Sequence, residues 1–258
     1  MFYVFPTPQE IADYVSAQMF YRLQAQTQLV LGLATGSTMK PVYARLIKQL
    51  QENPVDLSKV YCFNLDEYVG LAADHPQSYA AYMQEHLFEH VPFVAEQLFL
   101  PPGFCRPSDE QCLAFSARIQ QLGGIDLQLL GIGTNGHIGF NEPGTAFDSR
   151  THVVQLSEQT RHDNSRFFRD RSEMPTHAVT LGLQDIMEAK EIFLLATGEH
   201  KARIMARLQG CAIEEELPAS ILKKHPNTKI LLDEAAAQYL DPAQGKDYRD
   251  LLKQYTYR

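Results

Sequence analysis

The 258 residues include 45% hydrophobic and 21% charged side chains, a balance that supports a sizeable core and excludes a disordered chain. A formal net charge of -8 with scattered basic residues argues against a nucleic-acid surface, so an anionic ligand needs a local set of donors. No stretch approaches the roughly 18 apolar residues of a membrane span, MFYVFPTPQE lacks a signal-peptide pattern, and Cys62, Cys105, Cys112 and Cys211 form no CxxC pair. A cytoplasmic protein with reduced thiols and no membrane partner is expected.

Along the chain, Thr7 is a start signal for a helix over 8–24, and LVLGLA at 29–34 reads as a strand. A helix over 39–51, a strand VYCFNL at 60–65 and a helix over 76–90 follow. Pro101, Pro102, Gly103 and Pro107 mark a turn. Ser108 opens a helix over 108–122 and Gly123 with Gly124 closes it. Next come the strand DLQLLGI at 126–132, a polar excursion over about 141–175, the strand EIFLLA at 191–196, a helix over 198–208 begun by Thr197 or Gly198, the strand KILLD at 229–233 and a helix over 233–240. No linker or repeat divides the chain. Apolar strands alternating with helices predict a single α/β domain over 1–258, a three-layer αβα fold around a doubly wound, mostly parallel Rossmann-like sheet. The excursion over 141–175 is expected to be an active-site lid. Ligands in such sheets gather at the carboxyl ends of the strands.

Three strand ends carry chemistry. In LATGST at 33–38, Thr35, Gly36, Ser37 and Thr38 can offer backbone N–H groups and hydroxyls to a phosphate at a helix N-terminus; the bland alternative is a tight turn with an N-cap. In NLDEYVGL at 64–71, Asp66 and Glu67 point to opposite faces if the strand continues, so at most one reaches a given cleft; a solvated acidic turn is the alternative. GIGTNGHIGFNEPGTAF at 131–147 places Asn135, His137, Asn141 and Glu142 in a glycine-rich strand-end loop, where an amide or carboxylate can fix the tautomer of an imidazole that titrates near neutrality. His86, Glu89 and His90 spell HxxEH, but the segment has core-like helical spacing and no third ligand, so no metal is expected. GIGTNG falls short of a dinucleotide fingerprint, and no nucleotide cofactor is expected.

These strings, with SRTHVVQLSEQTRHDNSRFF, ATGEHKARIM and LPASILKKHP, resemble the signatures of the glucosamine-6-phosphate deaminase family over roughly 28–232, most specifically at LDEYVGL and GHIGFNEPGTAF. The resemblance is to the shorter bacterial branch, which has Asn at position 135 where the longer branch has Asp. It implies conversion of glucosamine 6-phosphate and water to fructose 6-phosphate and ammonium, without metal or organic cofactor. It assigns Asp66 as the base that moves a proton between C2 and C1, and His137, assisted by Asn135 and Glu142, as the ring-opening group. It adds Arg166 and Lys201 to Gly36, Ser37 and Thr38 as the phosphate site. The family contains monomers and hexamers, so either a monomer or a homo-oligomer is expected. The rival readings are another sugar-phosphate isomerase or lactonase, and a sugar-phosphate sensor domain of a transcription regulator.

Overall fold

The computed structural model describes residues 1–26 and 28–253. Within them the chain forms strands β1 (Phe2–Phe5), β2 (Leu29–Leu33), β3 (Val60–Asn64), β4 (Asp66–Tyr68), β5 (Leu98–Phe99), β6 (Leu127–Leu130), β7 (His152–Gln155), β8 (His177–Thr180), β9 (Ile192–Ala196), β10 (Thr228–Asp233) and β11 (Gly245–Asp247). Its α-helices are α1 (Pro8–Ala25), α2 (Lys40–Glu52), α3 (Tyr79–His86), α4 (Asp109–Gln121), α5 (Glu158–Ser165), α6 (Leu183–Met187), α7 (Ala202–Gly210), α8 (Glu234–Ala237) and α9 (Arg249–Lys253). None is long and apolar enough to cross a membrane among the described residues.

Eight strands form a parallel sheet in the order β11-β1-β10-β9-β6-β2-β3-β5, flanked by helices in a three-layer α/β arrangement. Every residue of β2, β6, β9 and β10 is buried, as expected of strands covered on both faces. Burying a Leu or Ile completely contributes about 1.5–3 kcal/mol relative to exposure, so these strands dominate the core. From β2 the chain winds outward to β3 and β5; from β6 it winds the other way to β9 and β10. β2 and β6 are therefore the neighbours at which the winding reverses, paired through Leu31 with Leu127 and Gly32 with Gln128. At Gly32 a Cβ would overlap the amide end of the buried Gln128 side chain, which would have to shift to admit it.

The expected helix signals operate locally. Thr7 Oγ1 accepts from Glu10 N at 3.2 Å. Ser108 and Gln111 form a reciprocal capping box at 3.3 and 2.9 Å. Gly123 and Gly124 end α4 with φ of 90° and 82°.

Several boundaries differ from expectation. The helix expected over 76–90 stops at His86, because Leu87 turns to φ -145°, ψ -59° before a 3-10 turn at Phe88–His90. His86 and His90 consequently do not share one α-helical face. The helix expected over 198–208 begins as a 3-10 turn at Glu199–Lys201 and continues as α7 to Gly210. The helix expected over 233–240 is the single turn α8, capped by Asp233 accepting from Ala236 N at 2.8 Å.

A second sheet, β4-β8-β7, is antiparallel and had no clear local signal. Leu65 is the seam between the two sheets. Its N–H donates to Leu33 O of the large sheet at 3.1 Å, and its carbonyl accepts from Leu181 N at 2.7 Å beside the small one. Asp66 is the first residue beyond that seam, paired with Thr180.

Candidate active site

The ends of β2 and β6 lie side by side at the reversal of winding, where a crevice forms in doubly wound sheets. After β2, Gly36 turns the chain with φ 108°, in the region that glycine enters without strain. Its carbonyl accepts from Met39 N at 3.1 Å and from the Tyr82 hydroxyl at 2.7 Å. The N–H groups of Ser37 and Thr38 have no acceptor among the described residues. They precede α2, a 13-residue helix whose positive end favours an anion. Thr38 Oγ1 lies 3.4 Å from Thr197 Oγ1, which brings the loop after β9 to the loop after β2. A cleft of about 230 Å³ opens here, lined by Ser37, Thr38, Pro41 and Thr197 with Pro8, Ile11 and Ala12 of α1. A larger cavity of about 500 Å³ lies at the amino ends of β2 and β3 and holds none of the candidate residues.

Asp66 and Glu67 are both buried, and their carboxylates have different employment. Glu67 accepts from Tyr68 N at 2.8 Å, Tyr79 N at 2.9 Å and Ala80 N at 2.9 Å, so it caps the first turn of α3. The Asp66 carboxylate, by contrast, is perturbed by burial and by the Glu67 charge with no hydrogen bond to it among the described residues. Burial, reinforced by the neighbouring Glu67 carboxylate, pushes its pKa from 3.8 up to about 8. A base with that pKa can both take and return a proton near neutrality. A catalytic role for the ionised Asp66 predicts that kcat/KM rises with pH through a midpoint near 8. A midpoint below about 6 in the pH profile would place the base in an ordinary, solvated setting.

His137 stands in the loop after β6. Burial lowers its pKa, Glu142 opposes that shift, Lys201 adds to it and Asp163 opposes it, with a net lowering. The neutral form of the imidazole is therefore favoured at neutral pH. Its Nδ1 lies 3.9 Å from Glu142 Oε2 and 3.4 Å from Thr160 Oγ1. Asn135 serves Glu142 as well as the loop: Nδ2 donates to Glu142 Oε2 at 2.7 Å, while Oδ1 accepts from His137 N at 3.2 Å. Glu142 Oε1 accepts from Ser157 N at 3.1 Å. Asn141, also in this loop, is structural; its amide donates to Ile138 O at 2.9 Å and Leu181 O at 2.8 Å. The ring lies so close to Gly133 that a Cβ there would overlap it.

Two contacts join this loop to the Asp66 side. A Cβ placed on Gly139 would come 3.8 Å from Asp66 Oδ2. Phe140 packs against Tyr68 and Tyr79, with ring centroids 5.5 and 5.9 Å apart.

The cations approach from two further elements. Lys201 follows Gly198, whose N–H is held by both oxygens of Asp233 at 2.9 and 3.0 Å, and its Nζ donates to Ile132 O at 2.7 Å. Arg166 caps α5 and is exposed, its guanidinium carbon 4.9 Å from the Phe167 ring centroid. Burial lowers the Lys201 pKa; Asp163 counteracts this and Arg166 adds to it. Lys201 and Arg166 are therefore near enough to repel one another, a repulsion that an anion between them would relieve. The polar excursion over 141–175 is not structureless: it supplies β7 and α5. Helix α5 also contributes Thr160 and Asn164, the latter donating to the Tyr68 hydroxyl at 3.2 Å, and neither residue stands out in the sequence. Their only clue is the spacing of Ser157, Thr160 and Asn164, three and then four residues apart, which puts them on one helix face.

A loop with free backbone N–H groups, a desolvated carboxylate and a half-buried imidazole at the reversal of a doubly wound sheet have the make-up of a small-substrate α/β enzyme. Over residues 7–231 the chain matches the family described as glucosamine-6-phosphate isomerases/6-phosphogluconolactonase, and it belongs to that family. A glucosamine-6-phosphate deaminase of Shouchella clausii (strain KSM-K16) is 48% identical over 89% of this chain and 93% of its own length. A solved monomeric glucosamine-6-phosphate deaminase is 39% identical with a TM-score of 0.89, covering 92% of this chain and 99% of that one. The 6-phosphogluconolactonase of Trypanosoma brucei shares the fold at 23% identity and a TM-score of 0.71, over 93% of this chain and 98% of that one.

Proposed function

We propose that the chain converts glucosamine 6-phosphate and water to fructose 6-phosphate and ammonium, as the names of its deaminase relatives indicate. The observation that carries this reading is the buried, unbonded Asp66 carboxylate within reach of the His137 loop. Lactone hydrolysis requires no proton to leave carbon, whereas aldose–ketose isomerisation does, and a desolvated carboxylate suits that step.

Neutral His137 takes the proton of the C1 hydroxyl and delivers one to the ring oxygen, which opens the sugar and exposes a carbonyl at C1. Glu142, fixed by Asn135 and Ser157, compensates the imidazolium formed in between. The carbonyl acidifies the C2 hydrogen. Asp66 removes it while the substrate's ammonium passes a proton to O1, giving an enolamine, and Asp66 then returns the proton to C1, leaving a protonated imine at C2. Water adds to that imine and ammonia departs from C2. The transfers at the ring oxygen and between C2 and C1 are assigned to side chains. Gly36, Ser37, Thr38, Arg166 and Lys201 hold the phosphate, and α5, in the segment over 141–175, covers the sugar as a lid.

The test is incubation of the purified protein with glucosamine 6-phosphate, measuring ammonium and fructose 6-phosphate together; equimolar formation is expected. Binding without either product would favour a sensor. Arg166→Ala and Lys201→Ala are each expected to weaken binding of a phosphate-bearing inhibitor by roughly 10- to 100-fold, the loss of a hydrogen bond to a charged group. Unchanged affinity in both variants would remove the proposed phosphate site.

A further inference from the structure

Helix α5 touches the site at several points along one face. Thr160 is buried and meets His137 Nδ1 at 3.4 Å; Asn164 meets Tyr68 at 3.2 Å; Arg166 lies just beyond the last turn. Between them is Asp163, a residue to which neither the motifs nor the chemistry above give a role. Its Oδ2 accepts from Thr134 Oγ1 at 2.5 Å, and Oδ1 accepts from Gln159 Nε2 at 2.8 Å. Thr134 belongs to the loop that carries Asn135 and His137. The carboxylate is thus tied from a separate helix to the segment that positions the imidazole.

We propose that Asp163 is a positioning residue for His137: it pins the imidazole loop to α5 through Thr134 and sets a fixed negative charge opposite His137 and Lys201. The groups around His137 support the need for such a charge. Glu142 faces Nδ1 from within the loop, Lys201 brings a cation from the turn before α7, and Asn135 and Thr160 are neutral. Of the two carboxylates that favour the imidazolium, only Asp163 comes from α5. Although partial burial works against its ionisation, hydrogen bonds from Thr134, Gln159 and His162 outweigh it and hold Asp163 below the usual carboxylate range. The charge is therefore present throughout the neutral range. When His137 accepts the C1 hydroxyl proton, Asp163 stabilises the cation and offsets repulsion from Lys201. Because Arg166 is on the same helix, the lid, the phosphate site and the ring-opening loop are tied together.

This role rests on His137 as the proton carrier, but the primary test needs no substrate. The His137 ring is titrated by NMR in the wild type, Asp163→Asn and Thr134→Val, with thermal melting to show that each is folded. Asp163→Asn keeps an acceptor for Thr134 and removes the charge, so the His137 midpoint is expected to fall by about a few tenths of a pH unit or more. The limb of the kcat/KM profile that reports His137 should move the same way. Thr134→Val keeps the charge and loosens the loop; it is expected to leave the midpoint in place while lowering kcat several-fold with little change in KM. A folded Asp163→Asn protein with the wild-type midpoint overturns the proposal, as does an equal displacement in both variants. Absence of ammonium release by the wild type would instead overturn the functional reading, while the titration would still show whether Asp163 acts on His137.

Discussion

Asp66→Asn is expected to lower turnover by roughly 100- to 10,000-fold, the span of a positioned general base, while an inhibitor carrying the phosphate binds nearly as before. The amide preserves the shape of the side chain at the start of β4 but cannot accept the C2 proton. The same substitution is expected to stabilise the fold at alkaline pH. In the unfolded chain Asp66 ionises near 3.8, and in the folded protein near about 8. Stability that is fully present when both states are protonated is therefore lost as pH climbs between those values, because ionisation favours the unfolded chain. Asparagine removes that loss, so the melting temperature of the variant should exceed the wild type's most clearly above pH 8 and least below pH 3.8. Near-normal turnover would take Asp66 out of the mechanism; a lower melting temperature above pH 8 would contradict the burial argument.

Gly133→Ala should reduce kcat by roughly 100-fold, the scale of an ångström-sized misplacement of a catalytic group. Gly133 does not have a positive φ, so alanine suits its backbone. The obstacle is the imidazole, whose Cε1, Nδ1 and Nε2 atoms crowd the place that the new methyl would occupy. The ring would have to swing away from Glu142 and Thr160. Gly131→Ala is the control, because a Cβ there meets nothing within 4 Å and φ is not positive. Equal activity in the two alanine variants would show that the imidazole is not needed where the structure places it.

The parts of this fold legible in the sequence are those whose cause is local. Runs such as LVLGL and IFLLA are buried on both faces, and burial of that kind leaves an uninterrupted apolar signature. Caps at Thr7 and Ser108 likewise act within three residues. Strands β4 and β8 instead pair Asp66 with Thr180 across more than a hundred residues, and neither carries its partner's address. The β7 segment HVVQ is only partly buried and gives no strong pattern. β1 gives no signal of its own, because four residues directly before a helix provide no turn to frame them. In the site, the glycine-rich loop and the acidic pair were visible as strings. The division of labour between Asp66 and Glu67 was not, since it depends on where α3 begins. Thr160 and Asp163 were hidden among the polar residues of α5, where most such side chains merely face water.

The three N–H donors around Glu67 also act as a proofreader of strand alignment. Slipping β4 by one residue against β8 would exchange the faces on which Asp66 and Glu67 emerge, presenting the substrate with a carboxylate one methylene longer. Only the native alignment gives Glu67 the amides of Tyr68, Tyr79 and Ala80 together. A misaligned strand would forfeit those bonds and leave a buried carboxylate stranded, so the fold itself selects which of two chemically similar neighbours is left unbonded, as the base proposed above has to be.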